Sequence, residues 1–112
     1  IVLVAGLDPA RRNQLINRWK KTSPFCMEKY LPVIEKAVAE SYCVTVDHER
    51  EQIFAVSSPI LNGSGNTVAA VGISGPLQRY SDTRLKKIAD RVTAAGKRIS
   101  ALMAERGDES FL

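Results

Sequence analysis

His48 is the only histidine of the chain, and it lies in the charged run 47–51 beside the carboxylates of Asp47 and Glu49. A nucleophilic mechanism needs a base within hydrogen-bond reach and a third group that orients it. A metal site needs ligands that converge from separate parts of the chain, which consecutive turn residues rarely provide alone. The run is therefore better explained as a solvated turn, and we expect no catalytic residue, no metal and no enzymatic activity.

Two further groups of residues could carry chemistry, the cysteines and a glycine-rich segment. Cys26 and Cys43 are seventeen positions apart, with no C-x-x-C pair and no second histidine, so they offer no zinc-type ligand set. We interpret them as reduced thiols of a cytosolic protein and expect no cofactor. The segment 62–66 has the composition of a phosphate-binding loop, but no helix is predicted after it, so a hairpin turn is the better interpretation.

Small side chains on two β-branched segments are more informative. Residues 52–61 and 67–74 alternate with a period of two, which predicts strands whose faces differ. One face carries the large apolar residues Phe54, Val56, Ile60, Val71 and Ile73. The other carries Ile53, Ala55, Ser57, Ala70, Gly72 and Ser74, which are mostly small and partly hydroxylated. Small residues leave room for a closely packed helix or for a ligand that the hydroxyls would bind, and the pattern leaves both open.

Helices are needed to flank these strands, and two are predicted before them. Asp8-Pro9 combines an N-cap oxygen with a proline at the first helical position, which predicts a helix over about 9–20. A second apolar stripe runs over 27–41 with Pro32 inside it. This helix therefore either begins near Leu31 or is kinked at the proline.

The remaining elements predict an antiparallel meander followed by one long helix. The strands are 42–46, 52–61 and 67–74, and we expect Gly75-Pro76 to end the ladder because proline cannot donate to it. Ser81-Asp82 then caps a helix of about 25 residues that Gly107 ends. Its apolar stripe, expected on the large-residue face, is Leu85, Ile88, Ala89, Val92, Ala95, Ile99, Leu102 and Met103. The fold class is α+β, in the order ααβββα.

Composition sets the broad class of the protein. The 112 residues carry a formal net charge of +4 and are 45% hydrophobic, as in a soluble globular domain. Arg11 and Arg12 follow the opening run Ile1–Ala5, which is far shorter than the roughly 18 residues of a membrane span and lacks the basic start of a signal peptide. Basic residues alternate with acids, which favours solvated helix surfaces over nucleic-acid contact. No initiator Met is present, so we interpret the chain as a fragment.

Several segments of the chain form a recognisable series. They are Glu40-Ser41-Tyr42, the acidic turn, Val56-Ser57-Ser58-Pro59-Ile60, the stretch 68–76 that ends in Ile73-Ser74-Gly75-Pro76, and the stretch 94–100 of a Ser-capped helix. Their order and spacing resemble the C-terminal effector-binding domain of IclR-type transcriptional regulators, over about 5–102. The resemblance implies a GAF-like, profilin-like domain over 1–112 that lacks its first strands and the winged helix-turn-helix.

The resemblance also implies a pocket on the sheet. The family's pocket positions correspond to Thr45, Ile53, Ala55, Gly72 and Ser74, and the strand pattern adds the hydroxyl of Ser57. Three of them depart from the family, since Thr45 is not acidic, Ala55 has no thiol and Gly72 replaces a serine. A site that lacks those polar partners suits a larger or less polar effector. Ser41 and Gln52 also stand where the family usually has glycine.

The function implied by this resemblance is a small-molecule-sensing regulatory domain in the cytoplasm. The effector would be a small organic metabolite, either carboxylate-bearing or aromatic. The domain would form a homo-oligomer, a dimer or tetramer, and would reach DNA only through the missing N-terminal domain, with no membrane contact. The alternative is a GAF-like ligand-binding module of a signalling protein or enzyme subunit that does not bind DNA. Direct nucleic-acid binding by the basic helices is a third interpretation.

Overall fold

The computed structural model describes residues 1–48, 50 and 52–106, and of Phe25 and Cys26 only the backbone. The helices are α1 (Val2–Ala5), α2 (Pro9–Thr22), α3 (Pro24–Glu40) and α4 (Asp82–Arg106), and the strands are β1 (Cys43–Asp47), β2 (Ile53–Leu61) and β3 (Thr67–Pro76). A single 3₁₀ turn, Leu77–Arg79, joins β3 to α4. The α+β fold class is confirmed, with the short helix α1 added before the predicted order. The expected stop at Gly107 lies outside the described residues.

Helices α2 and α3 both begin at prolines. Asp8 caps α2 through its Oδ1, which accepts the N–H of Arg11 at 3.1 Å, as the sequence predicts. Helix α3 begins at Pro24 and continues through Pro32, so it starts a full turn or more before Leu31. Proline fits the first turn of a helix because the N–H it lacks has no partner there.

The three strands form one antiparallel sheet in the order β1-β2-β3, which confirms the predicted meander. The β2–β3 turn is organised by Asn62, whose Oδ1 accepts the N–H groups of Ser64 and Asn66, both at 3.0 Å. Gly65 supplies the positive φ of 83° that this turn requires. The glycine-rich segment is therefore a hairpin.

The predicted end of β3 was wrong. Gly75 pairs with Phe54 and Pro76 pairs with Ile53, so the strand includes both residues of the Gly-Pro pair. Pro76 is tolerated because it is the last residue of an edge strand, and the next ladder-like bond is made by Leu77, whose N–H donates to the carbonyl of Gln52 at 2.9 Å.

Helix α4 covers the large-residue face of the sheet, as predicted. Val56, which is 1% exposed, packs against Ala89 and Val92. Ser100 joins the two elements, since its Oγ accepts the N–H of Leu61 at 2.8 Å and donates to the carbonyl of Gly96 at 2.7 Å. Leu102 was wrongly included in the apolar stripe, because it is 48% exposed whereas the adjacent Met103 is buried.

Helices α1 to α3 lie on the opposite, small-residue face. Cys43 at the start of β1 packs against Val2 of α1 and Ala37 of α3. Arg12 fastens α1 to α2, because its guanidinium donates to the carbonyls of Ala5 and Leu7 at 3.0 and 3.2 Å. Within the described residues, no helix has the length and apolarity needed to cross a bilayer. The sheet thus separates two helical layers, with α4 on the large-residue face and α1 to α3 on the small-residue face.

Candidate binding cleft

The strand register places the six candidate residues on one face of the sheet. Thr45, Ala55 and Ser74 are neighbours in one row across the three strands. Cys43, Ser57 and Gly72 form the row on one side of it, and Asp47, Ile53 and Pro76 form the row on the other side. Because strands lie about 4.8 Å apart, Thr45 and Ser74 are separated by about 10 Å.

A cleft of about 530 Å³ lies between this face and the helices. The strand ends provide Thr45, Val46, Asp47 and Ile53, and the helical side provides Ile1, Val4, Trp19, Met27, Lys29, Tyr30 and Ile34. Two of the six candidates, Thr45 and Ile53, therefore line the cleft. The volume suits a small organic molecule, and the walls are mostly apolar and aromatic.

The other four candidates do not line the cleft, although they share its face of the sheet. Ala55 and Ser57 are half-buried on β2, and Gly72 and Ser74 are exposed on β3. An added Cβ at Gly72 would come within 2.8 Å of the backbone oxygen of Val56, so a larger residue there would displace β2 as well as occupying space.

The helical wall was missed by sequence reasoning. Trp19 and Met27 were assigned to apolar helix edges, and they do pack around Ile16 and Ile34. The signal that could have found Met27 is the apolar stripe of α3, in which Met27, Tyr30 and Ile34 share one face of the helix.

Charge at the cleft comes from two side chains. Lys29 is exposed, and its Nζ lies 5.6 Å from the centroid of the Tyr30 ring. Asp47 is engaged by its own turn, where its Oδ1 accepts the N–H of Arg50 at 3.1 Å. A metal site on Asp47, His48 and Glu49, which the sequence disfavours, would include Glu49, and that residue lies outside the described residues. The described residues hold no cluster of three or more histidine, cysteine or carboxylate ligands.

Cys43 is the first residue of β1 and lies on the small-residue face. It is 4% exposed beneath α1 and α3. Burial raises the pKa of the Cys43 thiol, which keeps it neutral at physiological pH. This residue therefore acts as a small apolar packing group at the end of the row that it shares with Ser57.

The comparison with known proteins identifies the family. The sequence profile described as "Bacterial transcriptional regulator IclR C-terminal" matches residues 2–101. The chain belongs to this family. A relative, the HTH-type transcriptional regulator BhcR of Paracoccus denitrificans, is 31% identical over 70 residues, which are 62% of this chain and 25% of BhcR.

Solved structures show the same IclR-type domain. A transcriptional regulator of Rhodococcus sp. matches with a TM-score of 0.79 and 25% identity, over 95% of this chain and 46% of the other. The C-terminal domain of KdgR from Escherichia coli matches with a TM-score of 0.73 and 25% identity, over 92% and 66%. The inducer-binding domain of a double mutant of PobR from Acinetobacter, in complex with 3-hydroxybenzoic acid, shares the fold with a TM-score of 0.68 and 18% identity, over 90% and 61%. The chain thus spans a quarter of BhcR and under half of the Rhodococcus protein.

The segments that carried the IclR resemblance have identifiable places in this domain. Gly96 faces the Ser57-Ser58-Pro59 strand, since an added Cβ would lie 2.5 Å from the Ser58 Oγ and 3.0 Å from the carbonyl oxygen of Pro59. Gly75 lies beneath the ring of Phe54, which would be 3.0 Å from an added Cβ. The lack of a side chain at Gly96 allows α4 to approach β2 closely. The lack of a side chain at Gly75 allows the Phe54 ring to lie against β3.

Proposed function

We propose that this chain is the effector-sensing part of an IclR-type transcriptional regulator and that it binds its effector in the cleft beside Thr45 and Ile53. The observation that carries this proposal is the cleft itself, on the small-residue face of an IclR C-terminal domain. Family membership favours a transcriptional regulator over a GAF-like module of a signalling protein or enzyme subunit. The domain acts by binding, with no catalytic step of its own.

The chemistry of the cleft supports a largely apolar effector. Thr45 supplies a hydroxyl, whereas Ile53, Trp19 and Met27 supply apolar surface. A double mutant of PobR, which has the same fold, holds 3-hydroxybenzoic acid in its inducer-binding domain. We infer that this chain takes a small organic metabolite with an aromatic or comparable apolar body. A longer molecule would extend along the row towards Ala55 and Ser74.

Coupling to DNA belongs to the longer protein. The relatives are transcriptional regulators of which this chain corresponds to a part. We propose that residues 1–112 form part of an effector-binding domain and that DNA is contacted through a separate DNA-binding domain. Effector binding would shift the relative geometry of the DNA-binding domains within a homo-oligomer, because a ligand shifts a conformational equilibrium by its difference in affinity for the two states.

The test uses Trp19, the only tryptophan of the chain, as a reporter in the cleft wall. We expect saturable changes in its fluorescence from members of a panel of aromatic and aliphatic organic acids, and native mass spectrometry of the purified protein to detect any retained ligand. Thr45→Phe should narrow the cleft and abolish binding. Thr83→Phe makes the same change on the exposed first turn of α4 and should bind normally. Equal affinities in the two variants would contradict the location of the site.

A further inference from the structure

The cleft combines a strand wall whose charged residue is the acid Asp47 with a helical wall that carries a cation. On the sheet, Thr45, Ala55 and Gly72 occupy positions where the IclR resemblance implies an acid, a small or thiol residue and a serine. Lys29 of α3 is the only lysine or arginine among the described residues that line the cleft. A positive charge for recognising a ligand is therefore available from α3 and not from the strands.

The environment of Lys29 leaves its charge available. In the described part of the chain its ammonium contacts the Tyr30 ring and makes no salt bridge. A cation near an aromatic face keeps its full charge, so this contact leaves the ammonium able to pair with a ligand. An anionic ligand group at the cleft mouth could pair with this ammonium and remain partly hydrated.

The acid at the cleft does not compete for the same role. Asp47 ends β1 and accepts the N–H of Arg50, which holds its carboxylate in the turn. This carboxylate therefore already has a partner within its own turn, whereas the Lys29 ammonium makes no salt bridge with any described residue. An anionic ligand group would supply the partner that Lys29 lacks.

We propose that Lys29 is the specificity-determining residue of this site and selects effectors that join a flat apolar body to an anionic group. The body lies against Trp19 and Met27, and the anionic group lies at Lys29 on the helical side of the cleft. This inference rests on the proposed function, because it assigns the recognition chemistry of that same cleft. It differs from the strand-based recognition that the resemblance implies, since the selecting charge comes from α3.

The experiment compares phenylacetate with phenylacetamide, which have the same body and differ in charge. Affinities are measured for the whole chain by Trp19 fluorescence and by isothermal titration calorimetry. We expect the unchanged protein to bind the acid roughly five- to tenfold more tightly than the amide, as for a partly hydrated charge-assisted contact. Lys29→Met should remove this preference by weakening only the acid. Lys36→Met removes the same charge from another part of α3, outside the cleft, and should retain the preference.

Each outcome of this comparison has one meaning. A preference for the acid that disappears only in Lys29→Met supports the assignment. Equal binding of acid and amide by the unchanged protein, or a preference that survives in Lys29→Met, overturns it while leaving the cleft as the binding site. Absence of saturable binding by both compounds overturns the inference and also counts against the proposed function.

Discussion

Two residues of this chain adopt backbone conformations that glycine adopts more easily. Ser41, which ends α3, has a φ of 64°, and Gln52, which precedes β2, has a φ of 52°. Both residues stand where the resemblance to the IclR family implies glycine. A side chain in the left-handed region costs about 1–2 kcal/mol per residue, and glycine avoids that cost at the expense of greater chain entropy in the unfolded state.

Glycine at either position should therefore stabilise the fold. We expect Ser41→Gly and Gln52→Gly each to raise the free energy of unfolding by about 0.5–1 kcal/mol, the net of the two opposing effects. Urea denaturation followed by circular dichroism measures this change. Ser23→Gly is the matched control, because Ser23 has a φ of −144° and makes no capping bond with its side chain. A gain in the control as large as in Ser41→Gly would mean that the left-handed backbone is not the cause.

At the scale of elements, the contact between α4 and the sheet depends on one glycine. Gly96 is buried against Ser58 and the backbone of Pro59. Helix propensity alone predicts that Gly96→Ala stabilises α4 by about 1 kcal/mol. Packing predicts the opposite sign, since the added Cβ would force α4 away from β2.

We expect packing to dominate, with Gly96→Ala lowering the free energy of unfolding by about 1–3 kcal/mol. Thermal denaturation of the single variants and of the Gly96→Ala, Ser58→Gly pair measures the effect as a double-mutant cycle. The cost of Gly96→Ala should be smaller in the Ser58→Gly background, where the nearest contacting atoms are absent. A rise in melting temperature in Gly96→Ala itself would show that the helix does not approach the strand this closely.

The apolar stripe of α4 is expected to stabilise the fold without contacting the effector. Val92 packs against Val56 on the face opposite the cleft, and Ile99 is half-buried further along the helix. We expect Val92→Ala to cost about 1–3 kcal/mol and Ile99→Ala to fall near the lower end of the 2–5 kcal/mol of a buried isoleucine. Leu102→Ala, at an exposed position, is the control and should cost under about 0.5 kcal/mol. A tenfold change in effector affinity in Val92→Ala, measured by calorimetry, would contradict this assignment of the two faces.

The sequence predicts the elements of this domain better than it predicts the cleft. Alternation along β2 is a local property, so the faces of Val56 and Ala55 could be assigned before the structure was known. The last residues of β3 could not, because whether Pro76 joins a ladder depends on the register with Ile53. The roles of Trp19 and Lys29 depend on how α2 and α3 dock on the sheet, which no local pattern specifies.

At the scale of the whole molecule, β3 is an edge of the three-stranded sheet and most of it is at least partly exposed. The Ile73 side chain lies on the face of the sheet that α4 covers, and it is 50% exposed. An exposed edge strand with apolar side chains favours pairing with another chain. We therefore predict that the chain self-associates, and that sedimentation velocity at micromolar concentration detects species above the 12.3 kDa monomer. A single monomeric boundary across that range would contradict self-association of this chain.

We propose that the effector binds on the α1–α3 face of the sheet. Two-dimensional NMR of the isotope-labelled chain, titrated with phenylacetate, reports which backbone and indole N–H groups respond. We expect progressive shifts for Thr45, Ile53 and the Trp19 indole, with the amides of Ala89 and Val92 nearly unchanged. Shifts concentrated at Ala89 and Val92, beneath α4, would contradict it.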